Sequence, residues 1–175
     1  MFSEWDDEEK NQFSLAVTKG LIIDMVRRAN SGHSGGPMSS ADFTQILFTE
    51  YLNFDPKNPD WFDRDRFVLS AGHESALMYS MLIQLGWLNM DDIQNFRQLH
   101  SRTPGHPEVE IPGVEATTGP LGQGFGMAVG MATVEAPLAA ARLRAATSAR
   151  RAAWPWARRS RPTPRSQRST FGTII

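Results

Sequence analysis

The sequence predicts an α/β fold that is mostly helical, with one clear strand. Three observations lead there. Apolar residues recur at three-to-four spacing through several segments, the mark of helices with one buried face. One short apolar run, Arg66-Phe67-Val68-Leu69-Ser70, ends at Ala71-Gly72 and reads as a strand. After Leu138 both patterns stop, and Ala, Arg, Pro, Ser and Thr take over. The expected organisation is a partial domain over residues 1–138 and an Arg/Ala/Pro-rich, disordered tail over residues 139–175. A single strand marks the domain as incomplete. A parallel sheet needs partners for its backbone and helices on both faces.

The first helix is expected over residues 8–30. Phe13, Ala16, Val17, Gly20, Leu21 and Met25 form its apolar side. Acids crowd its start, Arg27-Arg28 stand near its end as the helix dipole favours, and Ser31-Gly32 stop it. A loop follows, Gly32-His33-Ser34-Gly35-Gly36-Pro37. Ser39 or Ser40 can cap a second helix that carries Phe43, Ile46, Leu47 and Tyr51. Asp55-Pro56-Lys57-Asn58-Pro59-Asp60 is turn chemistry. The strand comes next, with His73 just past its C-terminal end. Residues 75–85 read as a helix stopped by Gly86. Another helix starts at Asp91 or Asp92 and runs to about Leu99. A polar, proline-broken loop covers residues 100–120. The last helix runs from near Gly122 to Glu135, with Gly122, Gly126 and Gly130 on a face that can pack against another backbone. Residues 139–153 can be helical on propensity alone, and no strand is expected after them.

Charge divides the chain at the same place. All 19 acidic residues precede residue 139, together with 9 basic ones, while the last stretch holds 9 arginines and no acid. The net charge of -1 therefore hides -10 followed by +9, which marks a boundary. The absence of cysteine excludes disulfides and thiolate zinc sites and points to a cytoplasmic protein. No uninterrupted run of roughly 18 apolar residues is present, so no membrane span is expected. The acidic N-terminus lacks the apolar core of a secretory signal. Residues 139–175 have three readings. They are the residue types that a GC-rich gene yields when read out of frame. They also suit a disordered basic tail, or a nucleic-acid arm in which Trp154 and Trp156 stack on bases. Nothing upstream resembles a nucleic-acid module, so nucleic acid is not the expected partner.

All four histidines fall in or beside glycine- or proline-rich loops: His33, His73, His100 and His106. Imidazole suits proton transfer near neutral pH and hydrogen bonding to hydroxyls. A loop histidine taken singly is more often a surface residue without a role. No His-x-x-x-His lies on a helix and no acid stands at a suitable offset, so no metal ligand is expected. The Thr117-Thr118-Gly119-Pro120-Leu121-Gly122-Gln123-Gly124 loop has little Cβ bulk and lets its backbone approach a ligand. Its glycine gap matches a phosphate-binding Walker A loop, but Phe125-Gly126 stands where Lys-Ser or Lys-Thr belongs. A dinucleotide fingerprint is also absent. On its own the loop suits a tight turn into a packed helix as well as a cofactor contact.

Four ordered motifs carry a resemblance. They are Ala29-Asn30-Ser31-Gly32-His33-Ser34-Gly35-Gly36-Pro37-Met38, Asp65-Arg66-Phe67-Val68-Leu69-Ser70-Ala71-Gly72-His73, the segment from Phe96 through Pro104-Gly105-His106-Pro107-Glu108, and Gly113-Val114-Glu115-Ala116 followed by the glycine loop. Together, over about residues 10–138, they resemble the N-terminal, thiamine diphosphate-binding part of transketolase. Dihydroxyacetone synthase shares the motifs, and deoxyxylulose-phosphate synthase fits less well. The resemblance implies an incomplete thiamine diphosphate-binding domain of an α/β enzyme. It implies transfer of a two-carbon ketol unit between sugar phosphates, on a homodimer that uses thiamine diphosphate and magnesium. The cofactor supplies the electron sink, and the protein positions it and handles protons. By the same resemblance His33 faces substrate hydroxyls, His73 lies beside cofactor and substrate, and His106 hydrogen-bonds the ketol hydroxyls. The backbone of Gly119, Pro120 and Leu121 contacts the aminopyrimidine. His100 flanks the site without a role.

The departures from the pattern matter as much. The family holds diphosphate and magnesium with a Gly-Asp-Gly and a later Asn, and neither appears here; no acid follows Glu135. The domain whose glutamate activates the pyrimidine, and the basic residues that grip the sugar phosphate, are also missing. The expected state is an inactive fragment, truncated by a frameshift near residue 138. A split enzyme is disfavoured because the break falls inside a domain. A non-catalytic binding protein that uses its basic tail is the alternative from another class.

Overall fold

A computed structural model describes residues 4–153 and 173–174. It is rich in helix and has little strand. Helix α1 (Asp7–Ala29) starts on a capping box: Asp6 accepts from the Glu9 N–H and Glu9 accepts from the Asp6 N–H. It ends on Asn30 in the left-handed region. Its buried residues are Thr18, Ile22 and Met25, whereas Phe13 and Ile23 are exposed. The buried stripe is therefore rotated from the one the spacing suggested. The sequence offers two apolar stripes, and polar partners decide between them. Ser14 donates to Gln84 at 2.6 Å, and Gln84 donates to Thr18 at 2.6 Å. These bonds turn the Ser14/Thr18 side of α1 toward its neighbour.

Helix α2 (Gly35–Ile46) begins inside the segment expected as a loop. Pro37 sits in its first turn, where an amide hydrogen has no helical partner and its loss costs no bond. The helix continues as a π turn over Leu47–Tyr51. Pro37, Ala41, Thr44 and Gln45 are buried, while Phe43, Ile46 and Tyr51 are exposed. Strand β1 is only Arg66–Phe67, shorter than the expected 66–70, and pairs in parallel with β2 (Thr173–Ile174). The second strand corrects the expectation of none after residue 153. Two residues carry no periodic signal, and their pairing depends on contact with a distant segment.

A 3₁₀ turn (Gly72–Glu74) leads into α3 (Ser75–Gln84), which ends before Gly86 at φ +78°. Every residue from Ser75 to Leu82 is buried, so α3 is the axis of the core. Around it pack Ile22, Met25, Ala41, Leu88, Ile93, Phe96, Ile111 and Val114. Burial of each large side chain there is worth roughly 1.5–3 kcal/mol. Helix α4 (Met90–Gln94) is capped by Asn89 and Asp92 and ends sooner than expected. Arg97 and His100, both at φ +61°, break the helical path beyond it.

Helix α5 (Gln123–Ala153) runs well past Glu135, through Pro137. The glycine face drawn from the sequence is not the packed one. A Cβ at Gly124 would meet Ser70 Cα at 2.5 Å, whereas Gly122, Gly126 and Gly130 have open space around them. Gly124 and the fully buried Ala128, one turn on, face a small cluster with Val68 and Ala116. Half-buried ion pairs tie α5 to the strand and to the segment just before the glycine loop. Glu115 meets Arg64 at 2.7 Å and Arg66 at 3.1 Å, and Arg66 reaches Glu135 at 3.4 Å. The stretch Gln123–Ala141 has a mean hydropathy of 1.3 and is long and apolar enough to cross a membrane by length and composition. That amends the expectation of no such stretch, since mean hydropathy tolerates the polar interruptions at Thr133 and Glu135. The tail beyond Ala153, apart from β2, lies outside the described residues.

Candidate functional site

The loops beyond the C-terminal end of β1 bring the four motifs together. His33 follows Gly32, whose φ of +134° only glycine tolerates well and whose absent Cβ would meet Val26 at 3.1 Å and Phe96 at 3.2 Å. His73 sits on the 3₁₀ turn at the head of α3. The His33 and His73 rings meet edge to face, with centroids 5.1 Å apart and an interplanar angle of 67°. The first motif also touches the residue after the second, where Gly36 backs onto the Glu74 carboxylate, which a Cβ would displace.

The glycine loop closes the other side. Gly72 lies flat against it, since a Cβ there would stand 2.7 Å from the Thr118 carbonyl carbon. The Thr118 hydroxyl donates to the Leu69 carbonyl at 2.8 Å. The Phe125 N–H donates to Ser70 Oγ at 3.0 Å. These bonds hold Gly119 beside His106, whose Cδ2 is 3.6 Å from where a Gly119 Cβ would stand. Pro120 and Leu121 continue the loop as exposed residues, Leu121 at 75%.

His106 titrates below the ordinary imidazole range. Partial desolvation of the ring, on a residue that is otherwise exposed, is the largest cause, followed by the positive charges of Arg97, His33 and His73. The neutral ring can accept a proton or a hydroxyl hydrogen bond near neutral pH. His100 is exposed in the loop after α4 and is not among the charges that act on His106. Three of the four histidines, from three separate motifs, thus lie near one another beside the backbone of Gly119, His33 and His106 exposed and His73 half-buried. Among the described residues no three His, Asp or Glu side chains converge in a way that would hold a metal ion.

Sequence reasoning missed the residues that support this arrangement. Ser70, Ser75, Tyr79 and Thr118 all bond across motifs. Ser75 and Tyr79 are polar side chains four apart in a mainly apolar helix that also holds Ser80 and Gln84, and that spacing was the available signal.

Histidines and glycine-backed loops gathered at the end of a strand define a helix-rich domain with a candidate ligand site in its loops. Comparison with known proteins makes the class specific. Residues 11–149 match the family model described as transketolase, thiamine diphosphate binding domain. Transketolase 1 of Vibrio cholerae is 58% identical over 133 residues, which span 75% of this chain and 20% of that protein. The transketolase of Halalkalibacterium halodurans is 56% identical over 131 residues, 74% of this chain and 20% of that one. Among solved structures, the transketolase of Pichia stipitis in complex with sedoheptulose 7-phosphate superposes with a TM-score of 0.72 at 48% identity, covering 74% of this chain and 19% of that one. The Leishmania mexicana transketolase gives 0.72 at 50% identity, over 75% of this chain and 20% of that one. The chain belongs to the transketolase family, in its N-terminal thiamine diphosphate-binding domain. It spans about a fifth of the length of the relatives it matches.

Proposed function

We propose that this chain carries the substrate-facing half of a transketolase site and is inactive by itself. The observation that supports this is the gathering of His33, His73 and His106 beside the Gly119 backbone. In this reading His33 and His106 bind and orient the hydroxyls of a sugar phosphate. His73 stands between substrate and cofactor. The backbone of Gly119, Pro120 and Leu121 receives the aminopyrimidine of thiamine diphosphate. When bound, that cofactor supplies the electron sink for moving a two-carbon unit. The residues present fit the ring end of the cofactor. They do not fit its diphosphate and magnesium, because magnesium asks for carboxylate and amide oxygens and no acid follows Glu135. No step through the cofactor is therefore assigned to these 175 residues.

The wider reading follows the family. The architecture is an incomplete α/β domain, divided near residue 138 from a basic tail. The intact relative would be a cytoplasmic homodimer that acts on sugar phosphates of the pentose phosphate pathway. The test is a hybrid in which a transketolase relative supplies the sequence beyond the matched region. Ketol transfer by the hybrid, reduced on replacing each of the three histidines, supports the reading. A folded hybrid that binds thiamine diphosphate but transfers nothing argues against it.

A further inference from the structure

The turn that carries His106 rests on two buried hydroxyls. Ser75 and Tyr79 stand one helical turn apart on α3, and both are fully buried. Ser75 Oγ donates to the Gly105 carbonyl at 2.8 Å. Tyr79 Oη lies 2.9 Å from the Pro104 carbonyl and 3.3 Å from the His106 carbonyl. Three successive carbonyls are thus held by two side chains of one rigid helix. Burial pushes the Tyr79 phenol far above its ordinary range, so it remains a donor. From the other side Arg97 leans on Gly105, where a Cβ would meet its Cζ at 3.2 Å. Arg97 is itself fixed in the left-handed region by donating its N–H to the carbonyl of the fully buried Thr103 at 2.9 Å.

We propose that Ser75 and Tyr79 are positioning residues for His106, and that their hydroxyls set the height and aim of its imidazole over Gly119. The proposal rests on the histidine cluster as the functional site. It adds a link between motifs: the head of α3 that presents His73 also fixes the turn that presents His106. Tyr79→Phe keeps the ring and its packing against Phe96 but removes the one hydroxyl proton that the Pro104 carbonyl accepts and the His106 carbonyl can share.

The test uses NMR on the 175-residue chain. Two ring contacts are followed: His106 to Gly119, and His33 to His73. In Tyr79→Phe, and more so in Tyr79→Phe with Ser75→Ala, the His106–Gly119 contact should weaken or vanish while His33–His73 persists. The titration midpoint of His106 should rise as its turn gains solvent, with Arg97, His33 and His73 still facing it. Ser80→Ala is the control. It removes an equally buried hydroxyl of α3 that donates to the Ala76 carbonyl at 2.7 Å, and should leave both contacts intact. The proposal is overturned if the Tyr79 variants keep the His106–Gly119 contact and its titration, if Ser80→Ala loses it equally, or if the unsubstituted chain lacks it. Should Tyr79→Phe unfold the chain, Ser75→Ala decides alone: a weakened contact supports the proposal and an unchanged one overturns it. Failure of the wider functional reading would appear in the hybrid's ketol-transfer rates and leave these contacts unmoved.

Discussion

The surroundings of His106 lower its titration point, and that has a consequence for stability. Its folded titration point lies below its unfolded value of about 6.5. Between those two points the unfolded chain binds the extra proton, so stability rises with pH there. The contribution is complete above the unfolded value and is lost as pH falls through the folded one. Denaturant melts between pH 5 and 7.5 should show this loss on acidification, and His106→Gln should flatten it. The same residue bears on rate. In the completed hybrid, His33→Ala, His73→Ala and His106→Ala should each lower turnover by about 10²–10⁴ if they transfer or steer protons. His100→Ala should have far less effect, and equal losses at all four would separate loop structure from chemistry in favour of structure. The three histidines could be picked out of the sequence as candidates because they stand in glycine- or proline-rich loops. Ser75 and Tyr79 could not, because a hydroxyl inside an apolar helix reads as core until its acceptor is known.

Glycines separate packed from open faces at the scale of the element. Gly124→Ala drives a Cβ into Ser70 Cα, which no flexible side chain can relieve. It should destabilise the chain by about 1–3 kcal/mol, the usual range for overpacking. Gly126→Ala meets nothing and gains helix propensity, so it should stabilise by about 0.5–1 kcal/mol. Thermal melts of the two variants distinguish this from the face drawn on the sequence, which would reverse them. The extent of α1, the span of α3 and the stop at Gly86 were legible, since periodicity and caps are local signals. The start of α2 was not, because Gly35-Gly36-Pro37 reads as a loop until its first turn is seen to need no amide hydrogens. Strand length and the partner strand were not legible either. Pairing joins Arg66 to Thr173, residues that no local pattern connects.

The whole molecule has one well-buried axis and much apolar surface beyond it. Phe43, Tyr51, Phe62, Leu121, Phe125 and Val134 each expose more than half of their area. Such surface in a protein of this size ordinarily marks faces that other segments or partners cover. Hydrogen exchange should therefore show protection concentrated in α3 and the helices against it. Removing residues 139–175 deletes the end of α5 and β2 but should leave the protection of α3 unchanged, and its collapse would mean that those elements support the core. The central claim, that these residues hold the substrate-facing half of the site and not its diphosphate clamp, is tested most directly by calorimetry. The 175-residue chain is titrated with thiamine diphosphate, with and without magnesium, beside the completed hybrid. The expected result is weak, magnesium-independent binding to the chain and tight, magnesium-dependent binding to the hybrid. Micromolar, magnesium-dependent binding to the chain alone would contradict it.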